Sequence, residues 1–359
     1  MMKRIFSMAM AALLAVTAWA APKDQKQADN QGRRQYQVFG VGFYNLENLF
    51  DTINNNGSYD LEFSPAGARQ WHGKKYWSKI ENLARCIAEM STPTTPNGPA
   101  FLGVSEIENR SVLVDLVKAV DNRLRAQGKK PWNLQIVHHD SPDKRGVDVA
   151  ALYNPRQFRL HSVNHHTLQL GEMQRPTRDQ TVVTGIMGGD TVSIIVNHWP
   201  SRIGGQERSS WLREGAAALS KHIADSLWQT RPSEGVIIMG DLNDDPQDKS
   251  CAQVLGAVKN PAGVKPHAFY NPFWSLLDKG IGTLAYRGSW NLFDQIIVSG
   301  TLLKDNSGAD GLHYQKAQVN NFQFLRNEDG SPHRTFSAGV FLNGYSDHFP
   351  TEIFLVKAR

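Results

Sequence analysis

Four times along this chain an apolar run stops at a cluster of carboxylates, amides or an imidazole. The segments are Phe43-Tyr44-Asn45-Leu46-Glu47-Asn48 and Leu102-Gly103-Val104-Ser105-Glu106-Ile107-Glu108-Asn109. Ile194-Ile195-Val196-Asn197-His198-Trp199 and Ile237-Ile238-Met239-Gly240-Asp241-Leu242-Asn243-Asp244 repeat the pattern. Each apolar part has the length of a buried β-strand, and each polar part follows at its C-terminal end. Strand ends on one edge of a sheet lie together in space, so four such ends converge on one polar cleft. A fold that did not share this edge would strand four polar clusters in or near its core.

The remaining pattern surrounds these strands with helices. A first strand is read at Gln37–Tyr44, with others at Ala100–Val104, Leu134–His138, Val147–Tyr153, Phe158–Leu170, Thr181–Met187, Thr191–Asn197, Gly235–Met239, Leu292–Ser299 and Phe354–Val356. Helical spacing runs through Trp77–Met90, where Ile80, Leu83, Ala84 and Ile87 share a face, and again through Val112–Leu124 and Arg208–Trp228. Ser91–Pro99, Lys259–Ser275 and Asp305–Asp310 read as loops. Strands outnumber helices in the middle and end, which suits a mixed-sheet sandwich flanked by helices better than one doubly wound sheet. At 359 residues, 40% of them hydrophobic, the chain is long enough for one large α/β domain.

The first residues read as a targeting segment. Lys3 and Arg4 precede an apolar stretch from Ile5 to Val16, and Ala18-Trp19-Ala20 offers a small-x-small cleavage site. The apolar stretch is too short to span a bilayer comfortably and a polar one follows. The expected organisation is a signal peptide over residues 1–20, a flexible lead-in over 21–36 and one domain over 37–359. Export to the periplasm or the extracellular space follows, without stable membrane insertion after the leader is removed. The formal charge is +5, or +3 once Lys3 and Arg4 leave with the leader. That balance does not by itself call for nucleic acid. The local cluster Arg69-His72-Lys74-Lys75 reads most simply as a solvated face. Cys86 and Cys251, the only cysteines, exclude a disulfide scaffold and a cysteine zinc site. They leave open one bridge or buried thiols.

The residue types at the strand ends point to a hard-oxygen metal site. Carboxylates and amides without thiolates suit Mg²⁺ or Mn²⁺. An ion so held polarises a phosphoryl oxygen and neutralises the leaving oxygen. Asn and His side chains donate to the phosphate as its charge rises, and Asp or His removes a proton from water. Simpler readings compete for individual residues. Asn45 at a strand end and Asp241 with Asn243 could shape turns. Glu108 reads as a helix N-terminal charge and Asp244 as a structural or capping residue. His138, His139, His165 and His166 lack zinc-site spacing and read as strand or loop residues. Trp199, Trp211, Trp274 and Trp290 read mainly as packing, with Trp199 and Trp290 the best placed to line a cleft.

Together with Arg145-Gly146-Val147-Asp148-Val149-Ala150, Phe293-Asp294-Gln295-Ile296 and Ser346-Asp347-His348-Phe349-Pro350, these segments resemble the endonuclease/exonuclease/phosphatase superfamily, in order, over residues 38 to 356. Within it they look like a bacterial secreted, nuclease-like branch. The resemblance implies a deoxyribonuclease I-like fold: an α/β four-layer sandwich of two mixed β-sheets flanked by helices. It implies catalytic roles for His198, Asp241, Asn243, Asp294 and His348. It implies phosphate contacts from Asn45 and Arg145, and a metal held by Glu106, Asp347 and Asn45, the ion being Mg²⁺ or Mn²⁺. Either Asp241 or the Asp294–His348 pair would activate water. Gln295 stands where many relatives carry an aromatic residue, and no residue here matches the family's mid-chain catalytic Tyr.

The expected activity is metal-dependent hydrolysis of a phosphate ester, foremost of nucleic-acid phosphodiester bonds, by a monomer. The alternative within enzymes is a phosphatase or phosphodiesterase acting on a lipid or inositol phosphate. A non-catalytic binding protein on the same fold is the alternative of another class. The export reading predicts that mass spectrometry of the mature protein finds an N-terminus at Ala21. An unprocessed N-terminus in exported material would overturn it.

Overall fold

Alternation along the central strands sorts apolar side chains into three layers, and those layers define the architecture. The computed structural model describes residues 35–53, 60–170, 176–286 and 288–359. The leader and nearly all of the lead-in lie outside the described residues, and Tyr36 already opens the first strand. The larger strands are β1 (Tyr36–Leu49), β2 (Phe101–Ile107), β3 (Gln135–His138), β4 (Asp148–Tyr153), β5 (Phe158–His166), β6 (Gln180–Met187), β7 (Asp190–His198) and β8 (Gly235–Asp241). After the short pieces β9 (Ala257–Val258), β10 (Phe269–Tyr270), β11 (Leu284–Tyr286) and β12 (Ser289–Asn291) come β13 (Asp294–Ser299) and β14 (His313–Val319). A small hairpin, β15 (Phe336–Ser337) and β16 (Val340–Phe341), precedes the last strand, β17 (Thr351–Ala358). The helices are α1 (Gly73–Ala88), α2 (Arg110–Ala126), α3 (Gln206–Thr230) and the single turn α4 (Phe273–Leu277).

Among the described residues, one large sheet runs β14-β17-β1-β2-β4-β3 and the other β5-β6-β7-β8-β13-β10-β9. Both are mixed: β1 pairs with β2 in parallel and with β17 antiparallel, while β7–β8 is parallel and β8–β13 antiparallel. Val41 and Phe43 of β1, Ile194 of β7, Ile237 of β8 and Leu355 of β17 point inward and form the core between the sheets. Their neighbours point outward. Tyr44 and Val104 meet Ile80 and Leu83 of α1 and Leu113 and Leu116 of α2. Ile195, Ile238 and Ile297 meet Ala217, Ile223 and Trp228 of α3. The result is the expected four-layer sandwich of two mixed β-sheets flanked by helices.

Local chemistry explains the element ends. Asn109 caps α2 by accepting from the Ser111 and Val112 amides. α2 and α3 run two residues past each end of their sequence-based spans, and α1 starts four residues early at Gly73 but ends at Ala88, short of Met90; polar first and last turns carry no apolar period. The strand read over Phe158–Leu170 ends at His166, and Leu168 packs beneath α3 instead. Lys259–Ser275, read as a loop, contains β10 and the start of α4. The last strand extends over Thr351–Ala358, since its buried Thr351 and Glu352 hide the apolar pattern. Trp211, read as packing, is half exposed on α3. Cys86 and Cys251 are free thiols buried in opposite outer layers, with both sheets between them, so the bridge left open by the sequence is not formed.

One buried ion pair ties α3 to the loop after β8. The Arg213 guanidinium, fully buried, lies 2.6 Å from Asp244 and donates to Ser209 Oγ at 3.0 Å. Ser250 Oγ also donates to Asp244, at 2.7 Å. Asp244 is therefore structural. Arg213→Ala removes the nearer and fully buried of the two cations on Asp244, leaving Arg202 at 3.3 Å, and should cost about 3 kcal/mol in urea unfolding, against much less for Arg213→Met, which also fills the volume, paired with Asp244→Asn. A loss under about 1 kcal/mol for Arg213→Ala would contradict this role.

Candidate active site

The polar strand ends meet because the two sheets present the same edge. The C-terminal ends of β1, β2, β7 and β8 and the N-terminal end of β13 all reach it. His198 is in register with Asp241, and Asp294 is opposite Asp241. In the facing sheet Asn45 is in register with Ser105, next to Glu106. The register then breaks between Asn45 and Leu49 in β1, and between Ser105 and Ile107 in β2. At these bulges Glu47, Asn48 and Glu106 adopt left-handed φ angles of 47°, 52° and 58°, and Asn243 after β8 does the same at 51°. Non-glycine residues rarely take that conformation, and bulges re-aim side chains at sheet edges. Gly240 allows the close approach beside them: a Cβ there would stand 2.2 Å from the Asn197 carbonyl oxygen.

Asp241 is the hub of the site. Its Oδ2 accepts from Asn45 Nδ2 across the sheets at 3.0 Å, and its Oδ1 accepts from the Asn243 amide at 3.1 Å. His198 Nε2 stands 3.6 Å and His348 Nε2 3.9 Å from the same Oδ2. His348 Nδ1 is hydrogen-bonded to Asp294 Oδ2 at 2.7 Å. Burial lifts Asp241 to about 6, with Asp294 and Glu106 adding to it and His348 opposing it. Burial alone would depress His348, but Asp294 and Asp241 outweigh it and hold the imidazole well above its ordinary value. His198 goes the other way: burial, then the Arg178 and Arg145 charges, push it well below, so it is held neutral. Asn45 Oδ1 also accepts from the Glu47 amide at 2.9 Å, so this residue both shapes the strand end and reaches the hub.

The second half of the site is acidic. Glu106 Oε2 accepts from the Asn48 amide at 3.0 Å, and its Oε1 lies 3.8 Å from His198 Nε2. Burial would raise Glu106, but Arg145, His348 and Arg178 outweigh it and keep the carboxyl below its usual range. Burial, with the Glu47 and Glu106 charges, lifts Asp347 to about 7. Ser346 fixes this segment by donating to the Asn45 carbonyl at 2.7 Å. Glu47, Glu106 and Asp347 thus gather oxygen donors whose charges repel one another, which is the donor set a hard divalent cation fits. The donor atoms of Asp241, Asp294 and His348 also lie within 4.8 Å of one another. There, however, His348 Nδ1 is engaged by Asp294.

Solved structures share the fold. Danio rerio TDP2 complexed with a single-strand DNA product gives a TM-score of 0.51 at 12% identity, over 89% of this chain and 98% of that one. An endonuclease/exonuclease/phosphatase family protein from Bacteroides thetaiotaomicron gives 0.51 at 15%, over 90% and 99%. A mannosyl-6-phosphatase of the same organism gives 0.50 at 17%, over 88% and 99%. No curated protein matches the chain. The sequence profile of the Endonuclease/Exonuclease/phosphatase family matches residues 40–357. The chain belongs to that family.

The family's enzymes are metal-dependent phosphoesterases with a deoxyribonuclease I-like fold, and the sandwich described above is that fold. Every residue singled out from the sequence for the family's site lies at this one edge, but several are engaged in ways sequence could not show. Arg145 faces the cleft while donating to Asn48 Oδ1 at 2.5 Å and to Glu106 Oε1 at 3.4 Å. Asn243 Nδ2 donates to the Trp199 carbonyl at 3.0 Å. Trp199 does not line the cleft: it is 1% exposed, packs beneath α3 and donates to Asn197 Oδ1. Trp290 is 40% exposed and stacks on Phe349, next to His348. Glu108 accepts from the Asp51 amide at 2.6 Å. His138 pairs with Asp148 at 3.0 Å, and exposed Asp140 stands 3.8 Å away; Asp148 also holds Ser141, so this group braces the loop that carries Arg145. Gln295, the departure from the aromatic pattern, is fully buried and bonds the Asp244 carbonyl and Asn271.

Sequence reasoning missed the supporting charges. Arg178 is buried and bridges Asp143 at 3.0 Å and the Trp199 carbonyl at 2.9 Å. Arg334 reaches Asp347 at 3.0 Å and Glu47 at 3.4 Å. Lys79, fully buried in α1, donates to Thr335 Oγ1 at 2.5 Å. Arg178 sits in a ragged strand approach, Arg334 in the loop just before the β15–β16 hairpin, without a motif, and Lys79 on a helix face that reads as amphipathic; only Glu47, inside a quoted strand end, carried a signal.

The raised His348 value has a stability consequence. Its ion pairs contribute in full below the unfolded histidine value, about 6.5, and that contribution is lost as pH rises through the folded value. In metal-free protein the His348 imidazole should therefore stay protonated through neutral pH by nuclear magnetic resonance. Asp294→Asn should bring its titration down toward about 6.5. An unchanged titration in that variant would remove the Asp294 contact as its cause.

Proposed function

We propose that this chain is an exported nuclease that hydrolyses nucleic-acid phosphodiester bonds with Mg²⁺ or Mn²⁺, by in-line attack of water on phosphorus. The carrying observation is the Asp294–His348–Asp241 arrangement, with 2.7 Å between the first two, set opposite Glu106 and Asp347 across one cleft. Glu106, Asp347 and Asn45 would hold the ion, with Glu47 behind them. When bound, a divalent cation supplies neutralisation of charge on a phosphoryl oxygen and on the leaving oxygen.

The protein's own groups do the proton and charge handling. Asp241, lifted to about 6, has the basicity to take a proton from water near neutral pH. The Asp294–His348 pair, the other candidate base, is held protonated in this arrangement and so serves as a donor: Asp294 orients the ring and His348 Nε2 faces the cleft. His348 as imidazolium donates to the phosphate as its charge grows. His198, held neutral by its surroundings, offers an N–H without adding charge. Arg145 and Asn243 complete the donors around the phosphate.

Support for a nucleic-acid substrate comes from Trp290. With Arg326, Asn321 and Phe349 it lines a cavity of about 130 Å³ beside the segment that carries His348. An exposed indole is a platform for a base, worth about 1–3 kcal/mol by stacking. The D. rerio TDP2 neighbour holds a single-strand DNA product, which agrees with this reading. The mannosyl-6-phosphatase neighbour favours the rival, a phosphatase acting on a smaller phosphate ester such as an inositol or lipid phosphate.

One substrate panel tests the reading. Purified mature protein is given duplex DNA, single-stranded DNA, RNA, inositol phosphates, sphingomyelin and bis-(p-nitrophenyl) phosphate. Nucleic acid should be cut, EDTA should abolish the activity, and Mg²⁺ or Mn²⁺ should restore it. Asp241→Ala and His348→Ala should each lose about 10²–10⁴-fold with an unchanged circular dichroism spectrum. Trp290→Ala should lose about tenfold on single-stranded DNA and little on bis-(p-nitrophenyl) phosphate. Full activity in Asp241→Ala sinks the mechanism, and turnover confined to monoesters sinks the nuclease assignment.

A further inference from the structure

Beside the acidic half of the site lies a cavity that the mechanism above leaves unused. It encloses about 190 Å³ and is lined by Glu47, Asn48, Phe63, Arg69, Arg334 and Phe336, with the tip of the β15–β16 hairpin closing one side. Pockets that take a whole small ligand run to about 300–1,000 Å³, so this one takes a single group of a larger substrate. Its floor is aromatic: Phe63 stacks on Phe50, and Phe336 packs against Trp71 and Phe341.

Its cations are fixed in place. The Arg69 guanidinium lies over the Phe336 ring at 5.0 Å and over Phe63 at 5.8 Å. Lys75 Nζ lies over Phe341 at 5.4 Å and donates to the Arg69 carbonyl at 2.8 Å. Arg69 also pairs with Glu62, whose half-exposed side chain makes this a solvent-screened contact. Arg334 forms the wall shared with the metal-site carboxylates, its side chain 45% exposed while it touches Asp347 and Glu47. The one acidic residue lining the cavity is already committed, since Glu47 Oε1 faces Arg334 and its Oε2 accepts from the Thr335 amide at 2.6 Å. The hairpin tip holds Ala338 at φ 46° and Gly339 at φ 83°, between the pairs Ser337–Val340 and Phe336–Phe341. An alanine in the left-handed region costs energy, and a two-residue turn of this kind fixes the tip over the cavity.

We propose that this cavity is a second anion subsite, which holds the phosphate next to the scissile one and makes the enzyme prefer substrates with more than one phosphate. The proposal rests on the phosphoesterase reading and narrows its substrate class. The basic cluster Arg69-His72-Lys74-Lys75 then has a use beyond solvation, because Arg69 lines this cavity and Lys75 holds the Arg69 carbonyl. A substrate with one phosphate on a neutral sugar leaves the subsite without its ligand. A polynucleotide fills it with every bond cut.

The test compares kcat/KM on three probes in the Mg²⁺-loaded enzyme: bis-(p-nitrophenyl) phosphate, a thymidine dinucleotide, and that dinucleotide carrying a further phosphate at its 5′ or 3′ end. One of the terminal phosphates should raise kcat/KM about tenfold, and the advantage should shrink with added salt. Arg69→Gln should abolish the advantage and leave turnover of bis-(p-nitrophenyl) phosphate unchanged, and Arg69→Lys should keep part of it. Equal rates with and without the terminal phosphate overturn the subsite alone. An Arg69→Gln variant that loses all three probes equally, with Arg69→Lys no better, also overturns it. Failure to turn over any probe overturns the phosphoesterase reading and the subsite with it.

Discussion

The hydrogen bond from Asn45 to Asp241, 3.0 Å long, crosses from one sheet to the other at their shared edge. Nothing in the site works unless the two sheets keep that edge aligned. Neither sheet carries a complete set: the β1–β2 side supplies Glu47 and Glu106, and the β7–β8–β13 side supplies His198, Asp241 and Asp294. The core between the sheets fixes their relation, through Val41 and Phe43 against Ile194, Ile237 and Leu355. Close packing in such a core resists small shifts, so the distance between the half-sites is set by side-chain volume far from the chemistry. The Ser346–Asn45 bond then pins the last loop, with Asp347 and His348, onto the same edge.

The edge is costly to form. Several carboxylates are buried within reach of one another, and four non-glycine residues there sit in the left-handed region. Buried charges persist only when paired or hydrogen-bonded. Here Arg145, Arg178 and Arg334 compensate, and His348 holds a proton that its ordinary basicity would not retain. Local strain of this kind concentrates where structure serves chemistry. It is sustained by regular parts of the fold, such as the Arg213–Asp244 pair, which locks the loop following Asp241 to α3.

Centre and rim are built from different material. Most of the centre comes from strand ends, the stiffest parts of the sandwich, with the loop of Asp347 and His348 pinned to them by Ser346, and so its titratable groups stand at fixed separations. The rim comes from short hairpins and loops: β11–β12 carries Trp290, and β15–β16 frames the cavity of Arg69 and Arg334. Loops on a rigid scaffold can change without disturbing what they surround. One centre therefore serves many phosphate esters across the family, and the rim decides which of them is held.

The same division decides what could be read in advance. Strand ends were legible because burial on both faces forces a continuous apolar run, and a carboxylate or amide closing such a run has little reason to be there except chemistry. Asp241 after Ile237-Ile238-Met239 and Glu106 after Leu102-Gly103-Val104 stand out for that reason. So did the layer order, since Tyr44 and Phe43 alternate as a two-sided strand requires. Arg178, Arg334 and Lys79 were not legible, because their partners lie far away in sequence: Lys79 meets Thr335, and Arg334 meets Glu47. A cation's role depends on which carboxylate the fold brings to it, and no local period records that. Trp199 packs, as was mainly expected of it, but does not line the cleft. Its position after His198 suggested the cleft, but one residue past a strand end the chain turns, and the indole swings under α3 while the imidazole stays at the edge. Sequence position thus identifies the edge, and the turn that follows decides which side chains remain on it.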